Sequence, residues 1–402
     1  MDFEHSDRAK TYIEKVSRFI DERVLPNEHE YYGALSGDLD FRKWKIPPIM
    51  EELKAEAKAA GLWNLFLPDD KWGKGLDNRD YAPLAELMGK SFIAPEVFNC
   101  NAPDSGNAEV LHKYGTPAQQ EEFLVPLLEG KIRSGFAMTE PAVASSDATN
   151  MEATCRVDGN EVVVNGRKWW TSGAGDPRCG FLIFMGVTDP NAERHHRHSM
   201  VLVPLKTKGV EIVRMVPVFG HLDEPHGHAE IQFTNVRVPL ENFIGGPGMG
   251  FEVAQGRLGP GRIHHCMRAI GAAEKAYDLL CKRATSRVAF GKPLVNLGGN
   301  REIVANCRMA IDQARLLTLN AAWRLDTMGL MGAISAVSQI KVVAPNVLQT
   351  VTDAAIQVHG GEGVANRDLN MLMAMARVLR IADGPDEVHR GVVARLEMLR
   401  YK

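Results

Sequence analysis

The sequence predicts an α+β protein in which a helical segment, a segment of β-strands and a second helical segment follow one another. Three observations lead to this expectation. Apolar residues recur at three- and four-residue spacing up to about Gly130, β-rich runs fill 132–238, and helical periodicity returns after Phe251. Because 402 residues suffice for two or three domains, we expect boundaries at 1–131, 132–243 and 244–402.

Each segment has its own pattern. In the N-terminal α-helical domain the helical spacing covers 12–24, 49–60, 81–88 and 121–128. The middle segment contains runs such as EVVVNGRKWW, CGFLIFMGV and HAEIQFTNVRV between turn residues, which predicts an antiparallel sheet or barrel. Long helical stretches at 262–284, 301–328, 333–358 and 386–399 are typical of a four-helix bundle.

Composition excludes several classes of function. With 47 basic and 50 acidic residues the net charge is -3, so nucleic acid is not an expected partner. The six cysteines form no CxxC pair and we expect no metal site. No apolar run approaches the ~20 residues that span a bilayer, and the N-terminus does not resemble a secretory signal. These features predict a cytoplasmic protein without membrane association.

The run FAMTEPAVASSDATN at 136–150 is the first candidate site. It combines Thr139, Ser145 and Ser146 with backbone N–H groups that polar atoms of a ligand, such as a flavin edge or a pyrophosphate, can approach. An ordinary Ser/Thr-rich surface turn is an equally good interpretation of these residues taken alone.

Five motifs in order carry a resemblance over nearly the whole chain. FAMTEP, GRKWWTSGA, SRVAFGKPL, QVHGGEG and IADGPDEVH together resemble the acyl-CoA dehydrogenase family. The resemblance implies the helix, sheet and helix arrangement of that family, with bound FAD. It also implies α,β-dehydrogenation of an acyl-CoA to a trans-2-enoyl-CoA, an electron-transferring flavoprotein as electron acceptor, and a homotetramer or homodimer.

The same resemblance assigns the cofactor and coenzyme A contacts. Trp170 and Ser172 would lie on one side of the flavin ring, and Ser146 would contact coenzyme A, although the spacing leaves Ser145 and Ser146 both open. Arg287 would reach the pyrophosphate of a neighbouring subunit, as a guanidinium can bind phosphate bidentately. The other implied FAD contacts are Phe136, Met138, Thr139, Ser145, Phe290, Gln357, Gly361, Pro385 and Glu387.

The chemistry requires one carboxylate to remove the substrate α-proton while hydride leaves the β-carbon. The family position falls on Asp383, with Gly384 and Arg262 as substrate contacts. An aspartate is also common as a helix N-cap or turn residue, and a lone helix arginine is more often structural. The alternative base of some relatives, immediately before the arginine, is absent because that position is Gly261.

The ending ADGPDEVH, with PDSGNAEVLHKYG, is most similar to relatives fused to a kinase-like domain and linked to long, branched or 4-hydroxyacyl chains. Two rival functions stay open: a nitroalkane-oxidase-like oxidase, which also uses an aspartate base, and a flavin-loaded nucleic-acid-binding protein. We expect HHRH at 195–198 to be a solvated turn, His264 and His265 to precede the bundle helix without ligand roles, and GGPGMG at 245–250 to lead into that helix.

Overall fold

The computed structural model describes residues 4–401, except for the side chains of residues 258 and 260. Contacts divide the chain into two units: 1–26, 68–95 and 259–402 form the first, and 27–67 with 96–258 form the second. The helices are α1 Asp7–Phe19, α2 Leu25–Gly33, α3 Pro48–Ala59, α4 Asn78–Met88, α5 Ala94–Val97, α6 Asp104–Tyr114, α7 Pro117–Gln119, α8 Val125–Leu128, α9 Gly250–Ser286, α10 Asn300–His359, α11 Gly361–Ala365, α12 Arg367–Leu379 and α13 Asp386–Met398.

The second unit contains a seven-stranded sheet. Its strands are β1 Arg133–Ala137, β2 Thr154–Asp158, β3 Glu161–Ser172, β4 Cys179–Val187, β5 His198–Pro204, β6 Val210–Met215 and β7 His228–Pro239. The order is β1-β4-β2-β3-β7-β6, with β5 paired to β4. Alternating apolar side chains of these strands, among them Val162, Val164, Phe184 and Phe233, form the buried core of the unit.

The expected antiparallel pairing is present in most of the sheet, but two pairings with β4 are parallel. Strand β1 pairs with β4 in parallel, and β2 touches β4 in parallel at Thr154 and Val187. The reason is the long connection between β1 and β4, which contains the β2–β3 hairpin and therefore lets the chain return in the same direction. The remaining pairs, β2–β3, β3–β7, β4–β5 and β6–β7, are antiparallel.

A buried ionic cluster lies at the start of β1. Arg133 contacts Glu96 at 2.9 Å and also Asp104, and His226 bridges Glu96 and Asp176 at 3.0 Å each. Burial alone would lower the pKa of His226, but the Glu96 and Asp176 carboxylates raise it to about 9. His226 is therefore protonated near neutral pH and balances the surrounding carboxylates.

Helix α9 begins at Gly250, earlier than expected, so GGPGMG does lead into a helix but His264 and His265 lie inside it. Two glycines explain why a glycine-rich stretch stays helical here. A Cβ at Gly256 would collide with the hydroxyl of Tyr114, and one at Gly259 would lie 2.8 Å from Leu330 Cδ1. These glycines permit close packing, which compensates for their poor helix propensity.

Helix α10 covers both middle helices of the expected bundle. Gly329, at φ 68 and ψ -179, interrupts its helical geometry and separates two arms that match 301–328 and 333–358. α12, which the periodicity argument did not identify, packs against α10 together with α13. After α9, a short hairpin of β8 Val288–Ala289 and β9 Lys292–Pro293 precedes α10.

By length and hydropathy alone, α10 is the one described helix that could cross a membrane. That indication is weak, because a core helix of a folded domain meets the same criterion. Within its own unit α10 packs against α4, α12 and α13, and Pro345 and Gly329 lie within its span. Its buried apolar residues, such as Ile311, Ile340 and Leu348, therefore belong to the core of the helical unit.

Candidate active site

The first group of candidate residues lies on strands β1 and β3 and directly after β1, and we call Phe136, Met138, Thr139, Trp170 and Ser172 the sheet group. Two backbone carbonyls directly after β1 accept hydrogen bonds from residues of β3. The Met138 carbonyl accepts from Lys168 Nζ at 2.8 Å, and the Thr139 carbonyl accepts from the Trp169 N–H at 3.0 Å. The ring of Phe136 packs under the Arg257 guanidinium, 4.0 Å from the ring centroid.

A buried ion pair holds this region in place. Lys168 Nζ lies 2.7 Å from Glu140 Oε1, and both side chains are almost fully buried. The same Glu140 carboxylate accepts the backbone N–H groups of Glu152 and Ala153. Burial lowers the pKa of Lys168 to about 8, although Glu140 opposes this shift. The pair therefore fastens the motif FAMTEP to β3 at one point.

Ser145 and Ser146 have different surroundings. Ser145 Oγ accepts the Glu140 N–H at 2.9 Å and lies within hydrogen-bond distance of the Val143 carbonyl, so it closes its own turn. Ser146 is exposed. Of the two serines that the sequence left open, Ser146 is the one whose hydroxyl is presented outward.

Trp170 has a left-handed backbone conformation with φ 53. It lies at a register shift between Lys168 and Thr171 in the β3–β7 ladder, where a bulge turns the side chain away from the alternating pattern. The indole is 39% exposed and its ring centroid lies 5.7 Å from that of His228. The bulge thus presents a broad aromatic surface between the buried residues Lys168 and Thr171.

His228 also contacts Ser172, and sequence reasoning missed this residue. Ser172 Oγ lies 2.8 Å from His228 Nδ1, and His228 Nε2 lies 3.5 Å from Asp223. Burial lowers the pKa of His228, so the ring is neutral near pH 7. An ionised carboxylate only accepts, which assigns the ring proton to Nε2 and makes Ser172 donate to Nδ1.

A second group of candidates surrounds Asp383, which lies in the turn between α12 and α13 with φ 55. We call Asp383, Arg262, His265, Lys341 and His389 the turn group. The Asp383 carbonyl accepts from Arg262 Nε and from His389 Nε2, each at 3.2 Å. The Asp383 carboxylate lies 3.3 Å from His265 Nε2. Asp383 is thus not a helix N-cap, since Pro385 occupies that position of α13.

Two buried cations accompany this carboxylate. Lys341 is 1% exposed and donates to the carbonyls of Leu379 and Gly384. Burial lowers the pKa of Lys341 and of Arg262, while Asp383 opposes both shifts. Burial and the nearby Arg262 lower the pKa of His389 to about 4, so His389 is a neutral donor. The aspartate therefore lies in a positively charged environment.

Other assigned residues lie apart from these contacts. Arg287 follows α9, and Phe290 of the β8–β9 turn is 96% exposed. Gln357 lies in the last turn of α10, and Gly360, with φ 68, caps that helix. A Cβ at Gly361 would meet nothing within 4 Å. Pro385 caps α13, and the side chain of Glu387 is 78% exposed.

The histidine-rich run is a turn at His195 and His196, as expected, but His198 is buried as the first residue of β5. Among the residues that the structure describes, no cluster of three or more His, Cys, Asp or Glu side chains could hold a metal ion.

Comparisons with known proteins define the class. Models of the N-terminal, middle and C-terminal domains of acyl-CoA dehydrogenases match 6–131, 135–236 and 248–398. A Mycobacterium tuberculosis protein named a probable acyl-CoA dehydrogenase is 54% identical. The match covers 100% of this chain and 98% of that protein. Acyl-CoA dehydrogenase family member 11 of Gallus gallus is 53% identical, and the chain spans 51% of that longer protein.

Solved structures agree. A Mycobacterium abscessus protein provisionally named an acyl-CoA dehydrogenase has a TM-score of 0.96 and 60% identity, with full coverage of both chains. Butyryl-CoA dehydrogenase of Megasphaera elsdenii has a TM-score of 0.82 and 26% identity. The match covers 99% of this chain and 100% of that chain. The matches are to flavoprotein oxidoreductases. The chain belongs to the acyl-CoA dehydrogenase family and is an enzyme of that family.

Proposed function

We propose that this enzyme binds FAD and removes the α-proton and a β-hydride from an acyl-CoA thioester to give a trans-2-enoyl-CoA. The observation that carries this proposal is the Asp383 carboxylate, held in a strained turn with its carbonyl clamped by Arg262 and His389. A base must be ionised to accept a proton, and nearby cations favour the ionised carboxylate. Arg262 and Lys341 supply those cations.

The residues of the sheet group, together with the adjacent Trp169, fit a flavin. The indole nitrogen Nε1 of Trp169 is buried without a hydrogen-bond partner, which is the condition of a donor awaiting a ligand atom. Trp170 offers an aromatic face, and Ser172 offers an oxygen whose proton is directed to His228. When bound, FAD supplies the hydride acceptor. The matching family motifs support Phe136, Met138 and Thr139 as further contacts.

Asp383 would accept the α-proton at a carboxylate oxygen, with Gly384 and Arg262 beside the thioester. Ser146 would contact coenzyme A, because Ser145 is occupied in its own turn. Arg287, Phe290, Gln357, Gly361, Pro385 and Glu387 remain proposed FAD contacts on the strength of the family motifs. The exposed Phe290 supports a homodimer or homotetramer in which this hairpin meets a neighbouring subunit.

Several finer points are part of the same proposal. Electrons would pass to an electron-transferring flavoprotein. Long, branched or 4-hydroxyacyl chains are the proposed substrates, because the ending ADGPDEVH resembles that of relatives linked to such chains. The packing of α10 within its unit supports action outside the membrane, with the cytoplasm as the expected compartment. We retain 1–131, 132–243 and 244–402 as the proposed domain boundaries.

The test is anaerobic addition of straight, branched and 4-hydroxylated acyl-CoAs to the FAD-loaded protein while the visible flavin band is recorded. We expect at least one thioester to bleach the band and to yield an enoyl-CoA by mass spectrometry. A flavin that stays oxidised with every thioester would contradict the proposal. If nitroalkanes bleach it instead and air then gives peroxide, the enzyme is an oxidase.

A further inference from the structure

We propose that His265 is the positioning residue for the proposed base: its Nε2–H donates to the Asp383 carboxylate and fixes the rotation of that side chain. The inference rests on the proposed function and deepens it, since it explains how an aspartate acts where most relatives carry a longer glutamate. His265 lies on α9 and Asp383 follows α12, and their side chains are about a quarter exposed (24% and 25%). The contact is thus partly shielded from water.

The protonation of His265 follows from its contacts with Arg268 and Asp383. Arg268 lies one turn further along α9, and its Nη2 is 3.3 Å from His265 Nδ1. A guanidinium can only donate. Nδ1 must therefore accept, and the ring proton lies on Nε2. Since Nε2 is 3.3 Å from Asp383 Oδ2, the ring donates to the carboxylate. A doubly protonated ring would direct Nδ1–H at Arg268, so the geometry assigns a neutral imidazole.

The backbone of Asp383 is held independently of this contact. Arg262 and His389 both donate to its carbonyl, and the residue has φ 55 in a turn that continues into Gly384 at φ 102. These backbone contacts do not fix the rotation of the short carboxymethyl group. A donor on one oxygen removes that freedom, which matters because a displacement of about 1 Å can cost about 100-fold in rate.

The charged and titratable groups that face Asp383 come from three helices. Arg262 and Cys266 lie on α9, Lys341 lies on α10 and His389 lies on α13, while Asp386 of α13 faces Lys341. Asp386 is itself paired with Arg380 at 2.9 Å. Arg262 and Lys341 therefore stabilise the ionised carboxylate by charge. His265 adds no charge. It fixes the orientation of the Asp383 carboxylate, which the two cations do not fix.

The test compares His265→Gln with His265→Asn in the FAD-loaded protein. A glutamine amide can place a donor close to the position of Nε2. An asparagine amide can keep an oxygen toward Arg268 but falls short of Asp383. Infrared difference titration would follow the carboxyl band that disappears in Asp383→Asn. Loss of the donor disfavours the ionised form, so the midpoint should rise by about one pH unit in His265→Asn and stay near wild type in His265→Gln.

Flavin content should be equal in both variants, and flavin bleaching by the best acyl-CoA should slow about tenfold or more in His265→Asn only. An unchanged midpoint in His265→Asn would overturn the positioning role. So would equal midpoint shifts in both variants, which would indicate general disturbance of α9. If no acyl-CoA bleaches the wild-type flavin while the midpoint still moves, the positioning contact stands and the proposed function fails.

Discussion

The sheet group and the turn group are built by different means. The sheet group lies on β1, just after β1 and at the end of β3, and it is fastened by the buried Lys168–Glu140 pair and by backbone hydrogen bonds. The turn group draws side chains from α9, α10 and α13 onto one strained turn around Asp383. The first is therefore built within one stretch of chain, since Lys168 and Glu140 are 28 positions apart, and the second depends on the packing of distant helices. The following predictions test the two groups and their surroundings.

The largest effect is expected at the ion pair. Glu140→Ala leaves the ammonium of Lys168 buried and unpaired and releases two backbone N–H groups, so the free energy of unfolding should fall by about 3–5 kcal/mol. Denaturant unfolding measures the loss. Glu161→Ala, which removes an exposed partner of Arg237, is the matched control and should change stability by less than about 1 kcal/mol. Equal losses of stability in Glu140→Ala and Glu161→Ala would show that the buried pair does not hold the sheet group.

A smaller effect is expected in the turn. Gly384→Ala must adopt φ 102 and bring Cβ to 2.7 Å from His389 Nε2, which disturbs a donor to Asp383. We expect stability to fall by about 1–3 kcal/mol and flavin bleaching by an acyl-CoA to slow about tenfold, with FAD retained. Gly391→Ala on α13, where a Cβ would meet nothing within 4 Å, is the control and should leave both unchanged or slightly raise stability.

The buried cluster of the sheet unit should respond to pH. Because the folded-state pKa of His226 is raised to about 9 from its usual value, its stabilising contribution is complete below pH ~6.5. That contribution is lost as pH rises through about 9. Denaturant unfolding of wild type should show a loss on the order of 2 kcal/mol across this window. His226→Gln should show a flatter profile, and an identical profile would show that His226 is not the titrating group.

The smallest effect distinguishes two adjacent serines. Ser145→Ala removes the hydroxyl that closes its turn and should lower the free energy of unfolding by about 1 kcal/mol. Ser146→Ala should leave stability unchanged and raise the KM for acyl-CoA, because its hydroxyl is exposed. The opposite pattern would exchange the two roles. Unfolding curves and steady-state kinetics of both variants provide the comparison.

How far the sequence predicted these features follows from the same contrast. Residue patterns predicted the order of helices and strands, and short motifs contained Trp170, Ser172 and Asp383. The parallel pairing of β1 with β4 could not be predicted, since it depends on the path between the strands. Lys341 belongs to no motif, and its partner Leu379 lies 38 positions away. His389 ends the motif IADGPDEVH and His265 was considered without a role, but no residue pattern predicts their contacts with Asp383. The start of α9 could not be predicted either, because glycines disfavour helix and the close packing at Gly256 that permits one there has no sequence signature.

The most direct test of the central claim is flavin reduction in Asp383→Asn, measured in stopped flow without oxygen using the acyl-CoA that bleaches wild type fastest. Asparagine keeps the size of the side chain and tolerates the left-handed turn, so FAD content and stability should stay near wild type. Without a carboxylate the α-proton has no acceptor, and the bleaching rate should fall by about 10²- to 10⁴-fold. A rate within about threefold of wild type would show that Asp383 is not the base.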